Sequence, residues 1–431
     1  MSNLRVLTIC HNHPRLHPGG TEIFAYDLHQ EWRRRRSVEP LVLGCTNQIY
    51  REPRPGTSFQ TLGASADEVV LWAGHFARFH QSQIDLYGVI PDLAELLQSF
   101  RPDVVHFHHT LLIGVEALFL VRRVLPEARI VFTLHDYYPI CPRDGIMLTT
   151  DENRLCRGAT LDACRRCFPA APAERFVMRE NYIKTAFSLV DQFVAPSRFL
   201  RQRFIEWGLA ADRIKVVPNG RPPVAVAPHR PLAAGGRRNL FGYFGNVTPA
   251  KGAALAVAAI GQLDKDEARL RIHGGSPFQA EGFVADFAAA VEKAGDRVTH
   301  LGPYTADQMP ALMAAVDWVV VPSIWWENAP LVIQEAFQHR RPVICSDIGG
   351  MAEMVQDAVS GLHFARGDAG DLARQMRRAA AEDGLWERLV AGIPEIPTIS
   401  TTAARYRRLF QRLRDGAPAE PIDTEPVHDA A

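Results

Sequence analysis

Val320–Ser346 reads VVPSIWWENAPLVIQEAFQHRRPVICS. The apolar run Trp318–Val321 ends at Pro322, as a short strand buried on both faces does. A loop follows with Trp325, Trp326 and Glu327. From Pro330 to Gln338 the spacing is helical. Proline is favourable in a first helical turn because its missing N–H would be unpaired there anyway. Pro342–Cys345 is a second short apolar run. Strand, loop, helix, strand is the repeating unit of a parallel sheet covered by helices.

The same alternation extends in both directions. Upstream of the opening stretch it predicts strands at Asn239–Phe244, Arg269–His273 and Val298–Leu301, with helices at Lys251–Gln262, Glu281–Lys293 and Ala306–Ala315. Nearer the N-terminus, Leu4–Cys10, Pro40–Gly44, Val104–His108, Ile130–His135, Asp191–Ala195 and Lys215–Pro218 read as strands, and Thr21–Arg36 as a helix capped by Thr21. Arg221–Arg238 (RPPVAVAPHRPLAAGGRR) interrupts the pattern with prolines and a glycine pair and reads as an interdomain linker. The expected organisation is a first doubly wound domain over 1–220 with an insertion at about 138–172, a linker over 221–238, and a second domain over 239–395. A helix over 396–415 and a disordered, Pro/Ala/acidic tail over 416–431 complete it. The fold class is α/β, with two Rossmann-like doubly wound domains facing a central cleft. In open parallel sheets ligands bind beyond the carboxyl ends of the strands, so the loops after strands are where function is sought.

Composition narrows the field. The 431 residues far exceed the roughly 150 of a single domain. With 47% hydrophobic and 22% charged residues the chain is globular. Lys+Arg and Asp+Glu are both 48, so no positive excess argues for nucleic acid. No apolar run approaches the roughly 18 residues of a spanning helix. The opening MSNLRVLTIC enters a strand at once, without a secretory pattern. A cytoplasmic location is expected, with peripheral contact at the inner face of the membrane.

Chemistry concentrates in the opening stretch. The amides of Ala329, Leu331 and Val332 at the helix start, with the positive end of the helix dipole, form an anion site. Glu327 precedes the helix, and Glu335 lies about one and a half turns inside it. A carboxylate at Glu335 can take two vicinal hydroxyls, as on a ribose. Glu327 can take hydroxyls at the other end of a ligand whose phosphates sit between. Read alone, both acids are also ordinary helix-end charges, Lys251 a surface lysine, and Trp325 and Trp326 packing or sugar-stacking walls.

Glu327-x7-Glu335 in this strand–loop–helix setting resembles the EX7E signature of the retaining GT-B glycosyltransferases of family 4. Gly245-Asn246-Val247 through Lys251-Gly252 resembles the family's loop for the donor pyrophosphate. Gly274-Gly275, Gly19-Gly20, His135-Asp136, Pro196-Ser197 and Pro218-Asn219-Gly220 match further landmarks, in order, over about Arg5 to Gly392. The resemblance implies a GT-B fold and transfer of a sugar from a UDP-, GDP- or ADP-sugar to a saccharide or lipid-linked saccharide, in cell-surface polysaccharide assembly. It implies catalytic roles for Lys251, Glu327, His135 and Asp136. It implies donor contacts from Gly19, Gly20, Gly245, Asn246, Gly274, Asn328, Ala329, Pro330, Leu331 and Glu335. No cofactor is required for the implied front-face displacement, in which the leaving phosphate deprotonates the acceptor. One position departs from the family: Asn246 stands where an arginine is usual. A catalytically silent sugar-nucleotide-binding partner, an epimerase and a phosphorylase are the competing classes. A dinucleotide dehydrogenase is disfavoured, because HNHPRLHPGG after Cys10 lacks the G-x-G-x-x-G form.

Three further features stand apart. His11, His13 and His17 share the first loop, and His106, His108 and His109 end a strand; neither set shows a clear Cys or carboxylate partner for a metal. Cys141, Cys156, Cys164 and Cys167 fall in the insertion, the last two as a C-x2-C pair, and suggest a structural zinc site; free thiols or two disulfides are the alternatives. Finally, Glu31-Trp32-Arg33-Arg34-Arg35-Arg36 is either a favourable basic helix end or a patch for anionic lipid.

Overall fold

A computed structural model describes residues 3–36, 38–63, 65–233 and 235–416. The chain divides into two units. The first runs to Pro222 and resumes at Pro397; the second is Pro223–Ile396.

The first unit is built on an eight-stranded sheet in the order Ile214–Val216, Gln192–Ala195, Arg129–Thr133, Val104–Phe107, Arg5–Cys10, Glu39–Thr46, Glu68–Trp72, Phe59–Gln60. All neighbours are parallel except the last pair. Val6, Leu7 and Ile9 are fully buried, because helices cover both faces. The helix Gly20–Arg35 starts at Gly19, not on a Thr21 cap, and no side chain caps it. The final helix, Ile399–Arg414, packs on this unit. Its Tyr406, Leu409 and Phe410 join Leu4, Phe24, Leu28 and Trp32 in one core, and the Trp32 indole donates to the Ala403 carbonyl at 3.1 Å.

The second unit holds a six-stranded parallel sheet in the order Val298–Gly302, Arg269–His273, Leu240–Phe244, Trp318–Val321, Val343–Ser346, Gly361–Phe364. Each strand is four or five residues long, and all four residues of Trp318–Val321 are buried.

The segment expected as a linker is docked, not free. Arg341 is wholly buried and donates to the carbonyls of Ala227 and Pro228, while Arg230 and Arg238 pair with the buried Asp317 at 2.6 and 3.1 Å. Those cations satisfy a proline-rich backbone that cannot form its own ladder. The tail expected over 416–431 lies, beyond Gly416, outside the described residues.

Candidate functional site

In the second sheet the strand order reverses between Leu240–Phe244 and Trp318–Val321, which pair although two other strands intervene in sequence. The loops leaving their carboxyl ends therefore flank the crevice of a doubly wound sheet. They are 245–252 and 322–330, and they carry the residues singled out in the sequence.

In the first loop the Thr248 hydroxyl accepts from the Lys251 amide, closing a short 3-10 turn over Pro249–Lys251. The predicted helix therefore starts only at Ala253. Gly252 follows with φ of 72°, and a Cβ there would fall 2.0 Å from the Pro322 carbonyl oxygen. Only glycine allows this backbone to meet the end of the neighbouring strand. The Ile324 amide donates to the Ala250 carbonyl at 2.8 Å and ties the two loops together.

The Lys251 ammonium lies 3.0 Å from Glu327 Oε1. The same oxygen accepts from the Ser323 hydroxyl at 2.8 Å and the Trp325 indole at 2.9 Å. Glu327 is only 6% exposed, so three donors on one oxygen offset the loss of its hydration. Its carbonyl accepts from the Gly350 amide at 2.8 Å, fixing the backbone as well. Pro330 is the residue before the helix Leu331–Gln338, which thus starts one position later than the sequence suggested, and no side chain caps that helix start. Asn328 is buried; Ala329 and Leu331 are half-buried at this end.

Glu335 is half-buried and close enough to Tyr304 to add to the rise that burial gives its phenol pKa. Tyr304 stands edge-on to Phe244, and Phe244 stacks on His273 with ring centres 5.0 Å apart. Gly274, after His273, presses on Gly245, whose carbonyl oxygen a Cβ would meet at 1.8 Å. Asn246 brings no cation; its carbonyl accepts from the Tyr243 hydroxyl at 2.7 Å. A second cation bound into the Glu327 loop is Arg366, whose Nε donates to the Ile324 carbonyl at 2.6 Å. Sequence reading missed Tyr304, Ser323 and Arg366. Ser323 sat inside the quoted stretch; the other two lie in loops whose approach only the fold reveals.

The first unit gathers a second cluster at its strand ends. His135 and Asp136 lie just beyond the strand Arg129–Thr133, not at its end as expected. His108 Nδ1 and His135 Nε2 are 2.9 Å apart, and His109 pairs with Asp136 at 3.0 Å. Burial first, and then the neighbouring imidazoles, hold His108 and His135 well below the usual histidine pKa, and His106 at about 3. These rings are neutral at pH 7. Asp136 is pulled down to about 2: its burial opposes ionisation, but His109 outweighs it.

Gly19 and Gly20 open the first helix, but the space beside Gly19 is taken by the Glu22 carboxylate. Glu22 is 2% exposed and pairs with His11 at 2.8 Å. Burial disfavours both charges, yet their attraction prevails, keeping His11 well above its ordinary value and Glu22 at about 2. Cys10, His11 and Glu22 thus bring three donor atoms within 4.8 Å, so the first-loop histidines do have a Cys and a carboxylate nearby. In the basic run, Arg34 and Arg35 both pair with Glu31, and Arg33 with Asp67, which neutralises much of its charge. Among the described residues no helix is long and apolar enough to cross a membrane. Cys141, Cys156, Cys164 and Cys167 line one cavity of the insertion, with no disulfide among them.

Comparison with known proteins bears on both units. The model described as Glycosyltransferase Family 4 matches residues 18–223, and that described as Glycosyl transferases group 1 matches 238–382. The D-inositol 3-phosphate glycosyltransferase of Salinispora tropica is 30% identical over 366 residues, 82% of this chain and 67% of its own. The enzyme of the same name from Salinispora arenicola is 29% identical over 251 residues, 52% of this chain and 55% of its own, so the match spans about half of that relative's length. The crystal structure of Anabaena HepE in complex with UDP and glucose covers 95% of this chain and 100% of its own, with a TM-score of 0.64 at 20% identity. That likeness, read for fold alone, is to a GT-B architecture.

Proposed function

Because the chain belongs to glycosyltransferase family 4, we propose that it is a retaining glycosyltransferase that moves a sugar from a nucleotide-sugar donor to a saccharide or lipid-linked saccharide in cell-surface polysaccharide assembly. The observation that carries this reading is the Lys251–Glu327 pair at the switch point of the second sheet, with Glu335 on the helix that follows. A second crystal structure of Anabaena HepE is in complex with UDP-glucose, a nucleotide sugar of the same class.

In this reading Lys251 leaves Glu327 for the incoming diphosphate. An ammonium fixed beside a leaving diphosphate stabilises the charge that develops there more than the charge already present. Glu327, still held by Ser323 and Trp325, then accepts hydroxyls of the donor sugar, and Glu335 takes the ribose. Amides at Asn328, Ala329 and Leu331, and the close backbones of Gly245, Asn246 and Gly274, line the phosphates, with Pro330 setting the helix start. Arg366 supplies the second cation that position 246 lacks. Gly19 and Gly20 keep the donor-binding role, and His135 and Asp136 the catalytic role, that membership of this family implies. No side chain is placed as a nucleophile, so the displacement is front-face: the leaving phosphate takes the acceptor proton while the protein holds both reactants close. The chain acts in the cytoplasm, meeting lipid-linked acceptors at the inner face of the membrane.

A mass-spectrometric screen of UDP-, GDP- and ADP-sugars tests this. One donor class is consumed by the wild type. Lys251→Ala lowers turnover by about 100-fold or more with little change in nucleotide binding, and Glu335→Ala weakens nucleotide binding by about tenfold or more. A protein that binds a sugar nucleotide and never turns it over is the silent partner that Asn246 favours. Unchanged turnover in both variants overturns the assignment.

A further inference from the structure

The insertion after Asp136 buries Tyr137, Tyr138, Ile140, Met147 and Leu148 in its first part but no residue over 149–172, yet it is folded throughout. From Tyr137 the chain makes a turn that ends in Cys141, then a hairpin bridged at Leu148 and Leu155, with the Cys156 amide on the Met147 carbonyl at 2.8 Å. A short helix, Leu161–Cys167, follows, capped by the Thr160 hydroxyl. Its Cys164 and Cys167 are three residues apart and share one helix face. The hairpin returns Cys156 toward Cys141, so four thiols from three local elements line one cavity, walled also by Ile140 and Phe168.

The charge around that cavity is unusual. Arg179, on the next helix, is 3% exposed and donates to three carbonyls, those of Phe79, Tyr138 and Pro139. Its guanidinium makes no ion pair with a carboxylate among the described residues; the acidic groups that act on it are Cys141, Tyr138, Cys164 and, less strongly, Glu180, which is itself paired with Lys184. The exposed Arg166 also acts on Cys156. A buried cation without an anion is costly. Four thiolates around a divalent ion carry a net charge of about −2, and would supply the missing countercharge.

We propose that Cys141, Cys156, Cys164 and Cys167 bind one zinc ion that fastens the insertion to the loop carrying Asp136, with Arg179 as the buried counter-ion of the thiolate cluster. The site is independent of the sugar-transfer reading. No three of the four sulfurs lie within 4.8 Å of one another, and Cys156 Sγ donates to the Gly158 carbonyl at 3.0 Å. Binding therefore draws the hairpin and helix together and exchanges four S–H protons for four Zn–S bonds. The effect reaches Asp136 by a short path: Asp136 accepts from the Tyr138 amide at 2.8 Å, and the Tyr138 carbonyl is held by Arg179.

The test uses the full chain purified under reducing conditions without chelator. Elemental analysis gives about one zinc per chain. Replacement by cobalt gives thiolate-to-cobalt charge-transfer absorption in the near ultraviolet and intense tetrahedral bands in the visible. Chelator raises tryptic cleavage at Arg154 and Arg157 by about tenfold or more, and added zinc restores resistance. Cys167→His retains metal, because histidine also ligates zinc, whereas Cys167→Ala does not. Metal-free protein whose four thiols react freely and whose cleavage is indifferent to chelator overturns the proposal, as does a disulfide among the four.

Discussion

Glu327 is where the second unit commits most of its local chemistry. A nearly buried carboxylate takes an ammonium, a hydroxyl and an indole on one oxygen, and Gly252 lets the loop bearing that ammonium come near enough. Gly252→Ala therefore meets both a left-handed backbone and a clash with Pro322, and Lys251 is displaced. Gly384, left-handed like Gly252 with φ of 70° and open space around a Cβ, isolates the backbone part alone. Gly384→Ala should cost about 1–2 kcal/mol and leave turnover intact; Gly252→Ala should cost more and abolish turnover, as thermal melts and donor-consumption assays will show. The histidines of the first unit give a prediction in pH. His106, His108 and His135 are depressed by burial, so the unfolded chain binds more protons than the folded one below about pH 6.5. Their contribution is complete above that pH and is lost as pH falls toward the folded values. His11 runs the other way: raised by Glu22, it stabilises most fully below about pH 6.5 and loses that contribution only as pH climbs through its folded value. His13, His29 and His80, also lowered by burial, add to the first set, and Asp27, raised to about 6 by burial, adds to the side of His11; six groups oppose two, so the denaturation midpoint of the first unit should drop between pH 7 and pH 5. A midpoint that stays level or rises would contradict this.

At the scale of elements, a hydroxyl chain ties the last helix to the sheet: Tyr406 OH meets Thr133 Oγ1 at 2.9 Å, and Thr133 meets His106 Nε2 at 2.7 Å. Tyr406→Phe should cost about 1 kcal/mol in a melt, since Thr133 keeps His106 as a partner. The same scale shows what the sequence made legible. Arg269–His273 and Trp318–Val321 agree with the expected strands residue for residue: WVVV is continuously apolar, as a doubly covered strand must be, and RLRIH alternates, with Arg269 exposed and Leu270 and Ile272 buried. Glu68–Trp72 and Gly361–Phe364 escaped notice. The first is short and follows a stretch dense in proline and glycine; the second is four residues that begin with glycine and include a histidine. Site residues within one strand–loop–helix unit, Glu327 and Glu335, could be found by spacing. Their partners could not: Lys251 Nζ reaches Glu327 across 76 positions of sequence, and Arg341 reaches Pro228 across 113.

On the scale of the molecule, each unit places chemistry at the carboxyl ends of its own strands. The chain also closes the first unit with residues that come after the second: Ile399–Arg414 packs its Tyr406 and Phe410 into the core around Trp32. Truncation after Ile396 should therefore destabilise the first unit and leave the second near its original stability, a difference that hydrogen exchange can read unit by unit. The central claim concerns the second unit, and a crystal soaked with the donor that the screen identifies tests it most directly. The account predicts the diphosphate against Lys251 and the helix start at Leu331, the ribose hydroxyls on Glu335, and the sugar hydroxyls on Glu327 with the Lys251–Glu327 contact opened. A nucleotide bound elsewhere, with Lys251 still on Glu327, would contradict it.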